Sequence, residues 1–384
     1  MKPELFTSPA GELVPVPRSV AFVPDPLPPK GGLAFSGELL QSLSEAEHQL
    51  GRLDGVGQRL SDPDVLIRPF LRREAVLSNR IEGTHASYQQ VVLFEAATRT
   101  NDRRDFGAYQ VVNYVQALDF GLRQCAMKKG IGHQLICDLH ERLMRGESER
   151  NETPGKPRSK QVHVRGSDIS MAEYVPAPPA YVSALLDRLE VFMNQPSTLP
   201  LLIRLALIHY QFEAIHPFSD GNGRLGRLLI TLLLCAEKRL QHPLLYLSAY
   251  FQRNYAEYCD RLLRVSQRSE WLQWIIFFLN GVKEEARDAV NRTSQLFELH
   301  EEYEKRFATS RASAPTKLIK KLFEAPVITI PLAQEILDLS YPSAKQVVMK
   351  LIDQKILIPL DYPARAQYFL ADEIISIIEE PVAT

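Results

Sequence analysis

Long apolar runs are missing. The longest, such as Leu228–Ala236, is far too short to cross a bilayer. The opening residues place Pro3 and Glu4 where a secretory leader needs an apolar stretch. Paired cysteines are missing too: Cys125, Cys137, Cys235 and Cys259 stand far apart with no CxxC spacing. Cys137 and His140 have a ligand-like spacing, but no second pair completes a zinc site. Four small buried hydrophobes are expected instead, and a cytoplasmic setting fits. An excess of one charge is absent, the formal net charge being −1, so nothing global steers the chain to a polyanion or a membrane. No GxxxxGKS/T run occurs, which excludes the P-loop nucleotide hydrolases. No internal repeat is seen.

What is present is an ordinary soluble composition, 45% hydrophobic and 24% charged, in 384 residues, enough for two or three domains with their own cores. Eight prolines fall within the first 29 residues, so residues 1–34 read as an extended proline-rich arm. Helical spacing starts at Leu39. The segment from Pro69 to Asn79 and on to Arg80-Ile81-Glu82-Gly83 reads as a helix stopped by Gly83. Tyr88–Thr98 and Tyr109–Met127 read as two more helices. Asn151–Pro179 is rich in Gly, Pro and Ser, with strand-like runs at Gln161–Arg165 and Glu173–Val175, and reads as a hairpin-like flap. Leu201–Ile215 is apolar almost all round and should be a buried central helix. After a break near 305–315, Lys317–Phe323, Pro331–Leu337 and Ser343–Gln354 form three short helices. Ile356–Leu360 and Gln367–Leu370 form two strands, a winged helix-turn-helix pattern over residues 312–380.

The chemistry concentrates in His216-Pro217-Phe218-Ser219-Asp220-Gly221-Asn222-Gly223-Arg224-Leu225-Gly226-Arg227. Pro217 drives His216 out of helical geometry, to a helix-to-loop corner. Gly221 and Gly223 let the backbone turn tightly and bring N–H groups close to an anion. The loop runs into a helix N-terminus, where unpaired N–H groups favour phosphate. Arg224 and Arg227 share a face of the first turn and can grip oxyanions, and Asp220 offers the hard oxygen that Mg²⁺ prefers. A base, a metal carboxylate and phosphate donors make a phosphoryl-transfer constellation.

This segment resembles the Fic family signature, HPFx(D/E)GNGRxxR, at every specified position. The resemblance covers roughly residues 35–300 and implies a mainly α fold. Residues 35–110 would be an N-terminal helical region and residues 111–300 a helical bundle with the flap at 151–179, followed by the winged-helix unit. It implies a protein adenylyltransferase that moves AMP from ATP to hydroxyl side chains of target proteins and of itself. His216 would be the general base, at an unperturbed pKa suited to neutrality. Asp220 would hold Mg²⁺, Arg224 the β-phosphate and Arg227 the γ-phosphate. Gly221, Asn222, Gly223, Leu225 and Gly226 would complete the nucleotide contacts, with Tyr250 and Tyr258 on the adenine. The family often has two adjacent tyrosines at the second of these places; here it is Tyr258-Cys259.

A second motif, Ser78-Asn79-Arg80-Ile81-Glu82-Gly83, matches the family's inhibitory (S/T)xxxE(G/N) pattern. Glu82 would pair with Arg227 and displace the γ-phosphate, with Ser78 one turn behind. In parts of the family the same glutamate supports removal of AMP, so the net direction stays open. Relatives in the wider superfamily transfer other groups, and the Arg224–Arg227 pair favours ATP. The flap would hold a target segment by strand addition, with Val162, His163 and Val164 at its edge. The tail serves protein docking or weak DNA contact through Ser343, Lys345, Gln346 and Lys350, with a DNA-binding regulator as the rival reading. A homodimer is left open. Trp271 and Trp274 should pack the core, and His140 and His209 should be satisfied interior histidines.

Overall fold

In the computed structural model, which describes residues 1–7, 10–58, 64–99, 107–127, 130–146, 153–307, 313–362 and 366–380, the proline-rich arm is folded rather than extended. Strands β1 (Gly11–Val16) and β2 (Ser19–Pro24) pair antiparallel with Leu13 opposite Phe22, around a turn that holds Arg18 at φ 67°. Prolines are tolerated because a two-stranded ribbon is all edge, where a missing N–H breaks no inner ladder. Pro9, residues 151–152 at the start of the flap, and residues 308–312 in the break before the tail lie outside the described residues.

Helix α1 (Gly37–Gly57) starts where the Ser36 hydroxyl accepts from the Leu39 N–H at 3.1 Å, a side-chain cap. Helix α2 (Asp64–Ile81) begins before the expected Pro69, which lies inside it. Proline starts helices more readily than it continues them, so Pro69 reads as a start although the helix runs on before it. Helices α3 (Tyr88–Arg99), α4 (Ala108–Ala126) and α5 (His133–Leu143) follow. Among the described residues the expected flap is reduced to one antiparallel bridge, Val164 with Tyr174, with no regular two-stranded ladder. On its other side the return strand takes the Phe22 N–H on the Val175 carbonyl at 2.8 Å, so β2 extends the flap.

Helices α6 (Pro179–Asn194), α7 (Leu201–Ile215) and α8 (Asn222–Ala236) form the centre with α9 (Ser248–Arg253), α10 (Tyr255–Arg268) and α11 (Trp271–Phe307). All of α7 except Leu201 and Glu213 is buried, as an all-round apolar helix requires. Trp274 is fully buried and donates its ring N–H to the Ala206 carbonyl at 2.8 Å, while Trp271 meets Tyr210 edge-on. Helix α11 runs 37 residues, past the expected core boundary at 300.

The tail is α12 (Ala314–Glu324), β3 (Val327–Thr329), α13 (Ile330–Leu337), α14 (Tyr341–Asp353), β4 (Ile358–Leu360), β5 (Tyr368–Leu370) and α15 (Asp372–Glu379). Its three strands are antiparallel in the order β3-β5-β4. The expected helices coincide with α12, α13 and α14, the last overrunning by one residue at Gln354. Strand β3 and helix α15, which the sequence reading lacks, complete the unit. The tail is fastened to the helical body: Arg72 on α2 grips Glu95 at 2.9 Å and the Glu324 carbonyl at 2.5 Å, and Arg292 on α11 donates to the Glu380 carbonyl at 2.6 Å. No described helix is long and apolar enough to cross a membrane.

Candidate active site

Helix α7 ends on His216, whose backbone is left-handed at φ 50°, ψ 62°, with its N–H still bonded to the Phe212 carbonyl at 3.0 Å. The bend that follows is tied by Asn222, whose side chain accepts from the Phe218 N–H at 2.9 Å and donates to the Phe218 carbonyl at 2.7 Å. The amide of Asn222 thus shapes the loop from inside. Phe218 is fully buried and stacks at 3.7 Å on His140. That histidine accepts from the Gly155 N–H at 2.9 Å, and its other ring nitrogen lies 3.0 Å from the Asp220 carbonyl. One acceptor and one donor define a neutral imidazole, and burial lowers its pKa to about 4. Gly221 is needed for its backbone: it begins α8 at φ 75°, and a Cβ there would run into Met144.

The first turn of α8 meets the end of α2. Helix α2 stops in a Schellman arrangement, with the Thr84 N–H on the Asn79 carbonyl at 3.0 Å and the Gly83 N–H on the Arg80 carbonyl at 3.1 Å. Gly83 has the positive φ, 90°, that this ending requires. Glu82 is therefore the capping residue, and its carboxylate lies over Gly223 in the first turn of α8, bonded to Arg227 at 2.6 Å. A negative charge is misplaced at the C-terminus of its own helix and favoured at the N-terminus of α8. Arg227 also donates from Nε to the Ser78 hydroxyl at 2.9 Å and from Nη2 to the Ser78 carbonyl at 3.0 Å. The guanidinium is 2% exposed and Glu82 33%. Burial works against the charge, but Glu82 and its hydrogen bond outweigh it and raise the pKa of Arg227. Ser78 is fully buried, and one turn earlier Glu74 accepts from Ser248 and from the Tyr114 hydroxyl at 3.1 Å, so α2 is anchored from inside.

One cavity of about 190 Å³ brings together Glu82, His216, Gly223, Arg227 and Tyr258, with Val164 and Arg165 of the flap opposite. Burial, then Arg158, lowers the pKa of His216 to about 4, while a hydrogen bond to the Glu213 carbonyl, Glu82 and Asp220 oppose the fall. The expected unperturbed value is corrected: the imidazole is neutral throughout the physiological range. Glu213 lines the same cavity and is pushed up to about 7, chiefly by burial.

Other expected contacts lie outside this cavity. Tyr250 is 7% exposed and packs on Gly281 and Phe277, away from the cavity, so its adenine role is withdrawn. Leu225 is buried in the core and Gly226 packs against α7, so neither is in the wall. Tyr258 lines the cavity, but its hydroxyl bonds His209 at 2.8 Å and its ring stacks on Phe251 at 4.4 Å. Tyr255, Leu262 and Leu263 also line the cavity, one helical turn or two apart on α10, within the stretch Tyr255–Leu263 that resembles the family segment closing over the adenine. Arg224 is buried beside Asn79, Met144 and Asp220, at 3.7 Å from the last.

Asp220 is the carboxylate expected to hold a metal. Its side chain is 43% exposed, and one oxygen accepts the Gly221 N–H at 2.6 Å. Among the described residues no cluster of three His, Cys, Asp or Glu could cage an ion by itself. One exposed carboxylate is the kind of ligand Mg²⁺ takes, together with substrate phosphates.

Comparison with known proteins points to one family. The protein adenylyltransferase fic-1 of Caenorhabditis briggsae is 32% identical over 130 residues, 32% of this chain and 24% of that protein. The protein adenylyltransferase Fic of Culex quinquefasciatus is 30% identical over 186 residues, 48% of this chain and 31% of that protein. The chain thus spans no more than about a third of these relatives. A crystal structure of a Fic family protein from Desulfovibrio desulfuricans G20 superposes with a TM-score of 0.57 at 20% identity, covering 88% of this chain and 97% of that one, and shows the fold. Residues 40–123 match the domain described as Fic/DOC family N-terminal, and residues 130–234, which hold the His216 bend, match the domain described as Fic/DOC family, so this chain carries both Fic/DOC domains.

Proposed function

We propose that this chain transfers AMP from ATP to a hydroxyl of a protein and that Glu82 restrains the reaction. A target hydroxyl attacks the α-phosphorus, the bond to the β-phosphate oxygen breaks, and pyrophosphate leaves. His216, neutral and at the cavity wall, takes the hydroxyl proton. Arg224, Arg227 and the first N–H groups of α8 hold the phosphates, and Asp220 would hold Mg²⁺, which would offset phosphate charge. The apolar wall of Val164, Tyr255, Leu262 and Leu263 takes the adenosine. The observation that carries this reading is the Glu82 carboxylate bonded to Arg227 over the start of α8: an internal anion already lies where the phosphates must go.

Labelled transfer from α-³²P-ATP tests it. The Glu82→Gly variant should label itself and target proteins far faster than the parent, and adding His216→Ala should abolish the gain. Equal labelling by all three proteins refutes the reading. Removal of AMP is the second reading, favoured by Glu82 and His216 facing one cavity, where they could orient a water. Incubating labelled product with the parent and with Glu82→Gln distinguishes the two directions.

The flap edge is proposed to take an extended target segment, and the tail to be a winged helix that docks a partner. The support for a partner is the outer face of α14, where Tyr341, Lys345, Met349 and Lys350 are exposed. Lys345 and Lys350 add too few cations for tight DNA contact, and a gel shift that weakens steeply with salt would reverse that choice. Four cysteines without disulfides fit a reducing cytoplasm.

A further inference from the structure

Arg158 stands at the root of the flap and is buried, 5% exposed. Among the described residues no carboxylate pairs with it. Its donors go to carbonyls instead: Nε to His216 at 2.8 Å, Nη2 to Ala177 at 2.5 Å and Ile215 at 3.4 Å, and Nη1 to Lys160 at 3.4 Å. Its own backbone N–H donates to the Pro217 carbonyl at 2.9 Å. Those acceptors are the last residue of α7, the His216 corner, and both roots of the flap. A buried guanidinium without a counter-ion is costly, and a planar fork fixes its acceptors relative to one another. His216 sits in the left-handed region, which an L-residue holds only when its surroundings over-determine it.

We propose that Arg158 is a positioning residue for the transfer reaction: it stitches both roots of the flap to the His216 corner, so one side chain sets where the target lies and where its proton is taken. The proposal rests on the transfer reaction above. It also has an electrostatic consequence, because the cation faces the imidazole. The other groups that face it are Glu82 from the end of α2, Asp220 from the bend, and the Glu213 carbonyl from α7.

The test uses the full chain carrying Glu82→Gly, with Arg158→Lys, which keeps charge and loses the fork, and Arg158→Gln, which loses both. Both should lower kcat by about 10- to 100-fold, as misplacement of a reacting group does, with KM for ATP little changed. Only Arg158→Gln should move the acid limb of the rate upward from its position near pH 4, toward the ordinary histidine value. The titration of His216 is also followed by NMR of ¹³C-histidine-labelled protein, assigned by the loss of one signal in His216→Ala. That reading needs no turnover, so absence of transfer in the parent sinks the reaction while the NMR shift still judges Arg158. A folded Arg158→Gln with parental kcat and an unmoved His216 titration overturns the proposal. If Arg158→Gln does not fold, Arg158→Lys with parental kcat overturns it. Proportionate changes in kcat, KM and melting temperature with His216 unmoved reduce Arg158 to a fold-holding role and also sink the idea.

Discussion

Replacing Glu82 by alanine should tighten nucleotide binding while loosening the protein. The carboxylate is bonded to a guanidinium that is 2% exposed, at 2.6 Å. A hydrogen bond of this charged kind contributes about 1.5–3 kcal/mol. If the triphosphate has to displace it, that is the free energy returned on its removal, and at about 1.4 kcal/mol per tenfold the affinity rises about 10- to 150-fold. Arg227 in the variant keeps only Ser78, at 2.9 and 3.0 Å, so the unliganded variant should melt below the parent, by about 1–3 kcal/mol of stability. Nucleotide should more than restore it, since a ligand at 100 times its Kd adds about 2.7 kcal/mol. Calorimetric titration with a non-hydrolysable ATP analogue, paired with thermal melts with and without it, reads both quantities. Should the variant melt lower yet bind the analogue no better than the parent, carboxylate and phosphate do not compete and the restraint lies elsewhere.

Gly83→Ala forces a side chain into the left-handed region at φ 90°, which costs about 1–2 kcal/mol; Glu82 should be dislodged, and self-labelling should rise several-fold without any change to the motif glutamate. The pH dependence follows from His216: a histidine whose folded pKa is depressed stays unprotonated to lower pH, so transfer should persist through pH 5 and fall only as pH drops through about 4. A half-loss near pH 6.5 in the pH–rate profile would contradict this. Glu74→Gln puts an amide where one buried carboxylate takes the Ser248 and Tyr114 donors, and should lower stability by about 1–3 kcal/mol in a denaturant melt.

How far the sequence reached depends on the range of each interaction. The bend at 216–227 and the cap at 82–83 are local: Pro217, Gly221 and Gly83 act on neighbouring residues, and their consequences were readable before any fold. That Glu82 and Arg227 meet, 145 residues apart, needed the motif resemblance as well. Of the two expected aromatic contacts Tyr258 lines the cavity and Tyr250 does not, because packing decides. Tyr250 and Tyr258 are both tyrosines at helical spacing, and only the close approach of α9 to Gly281 turns the first into the core. Arg158 was passed over because its partners are backbone carbonyls, which carry no signature in a sequence. The arm pairs into a ribbon for a similar reason: proline content argues against inner strands but not against an edge ribbon laid on the flap.

Helix α11 carries one more implication. An unbroken rod of 37 residues, about 55 Å end to end, joins the half that holds the bend to the half that ends the chain. Arg72 and Arg292 bolt the far half down at two further points. Whatever docks on α14 would therefore be carried at a constant reach from His216, the two halves turning as a single body, and the molecule would measure out which parts of a bound assembly its chemistry can touch.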